Sequence, residues 1–176
     1  MHMSERREIK ASPAEVYAAL LDAEVLKACV PGAQELTGNP QDGFDAVVTQ
    51  KIGPVKATFK GHVSLSDMVE GEKLTIAGEG KGGAAGFAKG SASLVLSPSA
   101  EGTQLNYEVD AKVGGKIAQL GSRLVNGAAK KIAGQFFENL QAHLEGANEP
   151  SEEGAQPVDE AAPEKKGWLK KITGRG

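Results

Sequence analysis

"GGKIAQLGSRLVNGAAKKIAGQFFENL", residues 114–140, is the stretch on which the reading of the fold turns. Ile117, Leu120, Leu124, Ile132, Phe136 and Leu140 recur at i, i+3/i+4 spacing, the buried stripe of an α-helix. The spacing predicts one long helix from about Gly115 to Leu144. Gly121, Gly127 and Gly134 fall inside it, and each costs about 1 kcal/mol against alanine in a helix interior. Such a helix either approaches its neighbour closely or faces something other than protein.

Upstream the period changes. From Ala33 to Val113 the chain alternates, with "FDAVVTQKI", "VKATFKGHVSLSDMV", "EKLTIAGEG", "GSASLVLS" and "TQLNYEVDAKV" reading as strands. Turn residues in "NPQDG", "GP", "EGE", "KGGAAG" and "SPSAEG" separate them. The last strand sets Leu105, Tyr107, Val109, Ala111 and Val113 on one face and polar residues on the other. That is antiparallel sheet with one wet and one covered face. Residues 2–10 read as a further strand. Ser12, Pro13 and Glu15 form a capping box for a short helix that buries Val16, Tyr17, Leu20 and Leu21. Asp22 caps a second, "AEVLKACV", which Pro31-Gly32 ends. The order is a strand, two short helices, about six antiparallel strands and a long helix. A curved sheet gripping its C-terminal helix satisfies it with short connections.

A straight helix touches a curved sheet unevenly, so the gap needs filling. Aromatics are only 5% of the chain and glycines number 23, so large fillers are scarce. The covered faces read Ala57, Phe59, Gly61, Val63, Leu65 and Gly86, Ala88, Gly90, Ala92, Leu94. Taken singly, these glycines fit close backbone approach or bends in the sheet. Taken together they leave too little volume for native packing density, which predicts an apolar ligand cavity. Alternation and helical phase put Phe59, Val63, Leu94, Tyr107, Val109, Leu120, Gly121, Leu124, Gly127 and Ala128 on its wall.

Little points to catalysis. His62 falls on a wet face and His143 near a helix end, neither in a recognisable cluster. Cys29, the only cysteine, has no CxxC partner and reads as a buried small residue. "GEGKGGAAG" lacks the Gly-Lys-Ser/Thr of a P-loop, and no metal-ligand spacing appears. A net charge of −3 gives no pull toward nucleic acid. No apolar signal region or membrane span occurs, and the single cysteine fits a reducing compartment. The chain is expected to be a cytoplasmic binding protein and not an enzyme.

Three regions follow. Residues 1–146 form the ligand-binding domain, and residues 147–164 an acidic linker of disordered composition. Residues 165–176, "KKGWLKKITGRG", form a basic amphipathic tail. In it Trp168, Leu169 and Ile172 share a helical side flanked by Lys166, Lys170 and Lys171, which suits reversible attachment to an anionic membrane interface. A plain solubility tail and a peptide that docks on a partner protein are the alternatives.

"SPAEVYAALLDAEVLKACVPG", "GPVKATFKGHVSL", "GFAKGSASLVL" and "VGGKIAQLGSRLVNGAAKKIAGQFFENL" together resemble the CoxG family, named for carbon monoxide dehydrogenase. That family lies in the START/Bet v 1-like (SRPBCC) superfamily of α+β helix-grip folds, and the likeness runs from residue 1 to about 145. The resemblance implies an internal apolar pocket and a molybdenum hydroxylase of the carbon monoxide dehydrogenase type as partner. It also implies attachment to the inner face of the cytoplasmic membrane, with respiratory quinone as ligand. An assembly factor without ligand, or a START-like enzyme acting on a hydrophobic substrate, is the competing expectation.

Overall fold

The computed structural model describes residues 1–148, within which Met1–Glu145 form a compact unit. Its strands are β1 (His2–Ile9), β2 (Ala33–Asn39), β3 (Gly43–Ile52), β4 (Val55–Val69), β5 (Lys73–Lys81), β6 (Phe87–Ser99) and β7 (Gly102–Gly114). Its helices are α1 (Pro13–Leu20), α2 (Ala23–Cys29) and α3 (Ser122–Asn148). All seven strands join one antiparallel sheet in the order β1-β7-β6-β5-β4-β3-β2. From β2 to β7 the sheet is a meander of consecutive hairpins, and β1 closes against β7. With the two short helices after β1 and the long one after β7, this is the helix-grip order.

Local chemistry fixes the elements as the sequence suggests. Ser12 accepts from the Glu15 amide at 3.2 Å while the Glu15 carboxylate accepts from the Ser12 amide at 3.0 Å, so both orphan donors at the start of α1 are satisfied. Asp22 caps α2 by accepting from the Glu24 amide at 2.9 Å. The covered faces of β4, β6 and β7 are those the alternation predicts.

Two expectations need correction. The helix does not begin near Gly115. β7 runs on to Gly114, paired with Phe87, and a 3₁₀ turn spans Ile117–Leu120. Gly121 has φ of 97°, which no helix interior accommodates, so α3 starts at Ser122 and Gly121 lies outside it. The segment Ala33–Asn39, not singled out as a strand, pairs with β3 at the sheet edge. Leu36 is its only large apolar residue, so its periodic signal is faint.

The main core joins α1, the sheet and the second half of α3. Ile9, Val16, Leu20, Leu74, Leu105, Tyr107 and Leu140 are fully or almost fully buried there. Tyr107 stacks on Phe137 with ring centroids 4.3 Å apart, and Phe137 meets Phe136 edge-on at 4.9 Å. Thr103, the buried polar residue of this core, donates from its hydroxyl to the Ala11 carbonyl at 2.6 Å. Asn139 donates to the Cys29 carbonyl at 2.9 Å and ties α3 to the end of α2. A smaller cluster around Ala57, Ala85 and Ile117 sits at the opposite end of the sheet.

Candidate functional site

The two ends of α3 do different work. From Phe136 onward its inner face is aromatic or leucine and packs into the main core. Toward its start the inner face is Val125, Ala128, Ala129 and Ile132, too short to reach the curved sheet. A cavity of about 990 Å³ fills the gap. Its sheet wall includes Ile52, Phe59, Ala88, Ala111 and Val113, and its end wall Ile117, Ala118 and Gly121.

Strand register explains the floor. On the covered face Ala46, Gly61, Gly80, Ala88 and Val113 lie side by side across five strands. The next row reads Phe44, Val63, Gly78, Gly90 and Ala111. Small residues aligned across a sheet remove a layer of side chains, and the space is lost to packing. The row continues the cavity into an adjoining recess of about 380 Å³ that includes Phe59, Val63, Ile76, Ala92 and Val109.

Polar groups stand at the margins. Ser122 and Asn126 enter from the first turns of α3, and Gln50, Glu79, Lys89 and Lys112 from the strands. The Gln50 amide nitrogen donates to the Pro31 carbonyl at 2.6 Å, which leaves its oxygen free to accept. The arrangement suits a largely apolar molecule with one polar end.

The sequence-predicted wall residues separate into groups. Phe59, Gly121 and Ala128 border the main cavity, and Val63 and Val109 border its extension. Leu94 and Tyr107, each 2% exposed, belong to the packed core. Leu120 joins the smaller cluster. Leu124 is 41% exposed, its side chain lying against Gly53 of the β3–β4 turn. Gly127 is exposed with nothing within 4 Å of the position a Cβ would take, so it faces away from the cavity. Val125 and Ala129 are wall residues that the apolar spacing does not reveal. The stripe through Leu124 requires unbroken helix from Ile117, whereas counting from Ser122 puts Val125, Ala129, Ile132 and Phe136 in phase. Lys166, Trp168, Leu169, Lys170, Lys171 and Ile172 lie outside the described residues.

The other chemistry-bearing side chains lie apart from the cavity. His62 Nδ1 is 2.8 Å from Asp45 Oδ1 and His2 Nδ1 is 2.8 Å from Asp110 Oδ1, both pairs on the wet face. Cys29 is buried, and burial pushes its thiol pKa up, the setting of an inert cysteine. Among the described residues no group of three or more His, Cys, Asp or Glu could hold a metal ion, and no helix is long and apolar enough to cross a membrane.

A family model for CoxG, the G-type component of carbon monoxide dehydrogenase, matches residues 6–145. No curated protein matches the chain. Among solved structures, a conserved protein from Geobacillus kaustophilus is 28% identical with a TM-score of 0.78, over 84% of this chain and 97% of that one. A Thermus thermophilus protein is 17% identical with a TM-score of 0.64, over 85% of this chain and 100% of that one. Ara h 8.0201 is 15% identical with a TM-score of 0.57, over 83% of this chain and 98% of that one. The last two likenesses concern the fold alone, which is Bet v 1-like.

Proposed function

Since the chain belongs to the carbon monoxide dehydrogenase CoxG family, we propose that it is a non-catalytic accessory protein of a molybdenum hydroxylase of that type. In this reading it binds a lipophilic ligand, respiratory quinone, in the cavity under α3. It thereby couples the enzyme to electron transport in the cytoplasmic membrane. The observation that carries the proposal is the cavity of about 990 Å³, apolar on its sheet and helix walls and polar only at its margins. A quinone ring with its prenyl tail has that division of character. Its carbonyl oxygens can accept from Ser122 and Asn126 while the tail occupies the small-residue trough. Residues 165–176 attach the protein reversibly to the inner membrane face, since three apolar residues with flanking lysines rest at an interface but do not span it.

Native mass spectrometry of gently purified full-length protein tests the ligand. A lipophilic adduct of quinone mass is expected, together with uptake of added quinone. A clean unliganded mass from several preparations, with no uptake on titration, refutes the carrier reading and favours a docking factor with an empty grip. Vesicle co-sedimentation tests the tail. Trp168→Glu should weaken binding to anionic vesicles, and equal sedimentation of variant and parent at low salt would refute attachment through it.

A further inference from the structure

The turns at the two ends of the meander carry opposite charge. β2–β3, β4–β5 and β6–β7 turn at one end, with Asp42, Asp67, Glu70, Glu72 and Glu101 in or beside the turns. At the other end, where the cavity lies, residues 50–61, 80–90 and 111–134 contain no aspartate or glutamate. The lysines there are not merely numerous. Lys51 stands directly opposite Lys56, Lys60 opposite Lys81, and Lys89 opposite Lys112, all on the wet face. Like charges directly opposite across a strand pair destabilise a sheet. The ion pairs among the described residues are those of His2 and His62, so none of these lysines is neutralised by a carboxylate within 4.0 Å. Three repelling pairs at one end of one sheet call for a compensating anionic partner.

Phe87 stands among them. It is Lys81's cross-strand neighbour, is 40% exposed, and its ring lies over Gly114, where a Cβ would sit 2.2 Å from it. Phe87, Lys89 and Lys112 also border the cavity. An exposed ring, a field of unpaired lysines and the cavity margin therefore form one continuous surface. Lysine is depleted from protein–protein interfaces, which are built on a dehydrated apolar centre. A lysine field around a single aromatic fits an anionic lipid surface instead, where each cation retains its water and the ring enters the headgroup layer.

We infer that this basic end of the sheet docks on an anionic bilayer and presents the cavity to the headgroups, independently of the tail. The inference rests on the proposed ligand role only for its purpose, which is to move a lipophilic ligand without crossing water. Its test uses full-length protein carrying Lys51→Gln, Lys56→Gln, Lys60→Gln and Lys81→Gln together, residues outside the cavity wall. Binding to mixed phosphatidylcholine–phosphatidylserine vesicles should fall by roughly a hundred-fold or more, both alone and with Trp168→Glu. Arginine at the same four positions should preserve binding, and thermal stability of the glutamine variant should not fall, because two repulsions are relieved. Uptake of decylubiquinone from detergent should be unchanged while its extraction from anionic vesicles slows. Unaltered vesicle binding in the Trp168→Glu background would overturn the inference. Retained vesicle binding with lost association to the dehydrogenase would overturn it too, by giving the face to the enzyme. If the parent takes up no decylubiquinone from detergent but still binds vesicles through these lysines, the carrier reading falls and the docking face stands.

Discussion

Neighbouring residues on α3 provide a sharp test of which face carries function. Gly127 points outward with open space around it, whereas Ala128 borders the cavity. Gly127→Ala should therefore stabilise the protein by about 1 kcal/mol, the helix-propensity difference, with no contact to disturb. Gly134 also has nothing within 4 Å of a notional Cβ, so Gly134→Ala should contribute a similar amount. The two sites are about 10 Å apart along the helix, so their effects should add to about 2 kcal/mol. For a chain of this size that raises Tm by roughly 4–8 °C. Neither change should alter ligand affinity. Ala128→Leu instead puts three further carbons into the cavity. If each displaces one methylene of the ligand, at about 0.8 kcal/mol apiece, quinone affinity falls about fifty-fold. Gly127→Leu is the control, since it adds a larger side chain to the outer face and should bind as the parent does. Urea unfolding followed by circular dichroism reads the stabilities, and calorimetric titration with decylubiquinone reads the affinities. Loss of affinity in Gly127→Leu comparable to that in Ala128→Leu would refute the helical phase. Destabilisation by Gly127→Ala would show that its face packs against something.

Tyr107 ionises with difficulty, its pKa pushed up to about 12 by burial, then by the Glu5 charge and by the 3.2 Å hydrogen bond it donates to Glu5. Because the folded state holds the proton more tightly, its contribution to stability is complete below pH 10 and is lost as pH rises through about 12. Tyr107→Phe should remove that step from the pH dependence of the urea midpoint, and tyrosinate absorbance should show one late-titrating phenol. Thr103→Val should cost about 1–3 kcal/mol in urea unfolding by leaving the buried Ala11 carbonyl unpaired, and Thr103→Ser should recover most of it. Phe137→Ala should cost about 3–5 kcal/mol, of which about 0.5–1.5 belongs to the ring stack on Tyr107 and should be separable with Phe137→Leu.

The strands and their covered faces were legible because alternation over long strands fixes both length and orientation. β4, with Ala57, Phe59, Val63 and Leu65 turned inward, is the clearest case. The cavity was legible as a shortage of volume, but its walls were not. Walls depend on register between strands and on the phase of one helix, and neither is local. Gly121 illustrates the point. Its backbone conformation ends one helical turn and permits another to begin, yet the apolar spacing runs across it from Ile117 to Leu124 without a break. Once that break is missed, the phase rotates, Leu124 replaces Val125, and Gly127 moves from the outer face to the inner. The cross-strand lysine pairs were likewise invisible, since Lys89 and Lys112 become neighbours only when β6 and β7 are aligned.

The closure of the sheet by β1 has a consequence for synthesis. β2 to β7 each find a partner in the next hairpin, but β1 pairs only with β7, so Glu5 waits for Tyr107, 102 residues later. At ribosomal rates of about 5–20 residues per second the first strand emerges roughly 5–20 s before the strand it pairs with. A long apolar strand left unpaired for that time would be open to edge-to-edge association. β1 reads HMSERREI, with Glu5 and Arg7 on the inward side among Met3 and Ile9. Charges on the face that will later be covered keep the waiting strand in solution. After closure Glu5 takes the Tyr107 hydroxyl and Arg7 reaches Gln141 on α3 at 3.4 Å. The same polar residues that protect the nascent chain then serve as the latch of the finished sheet.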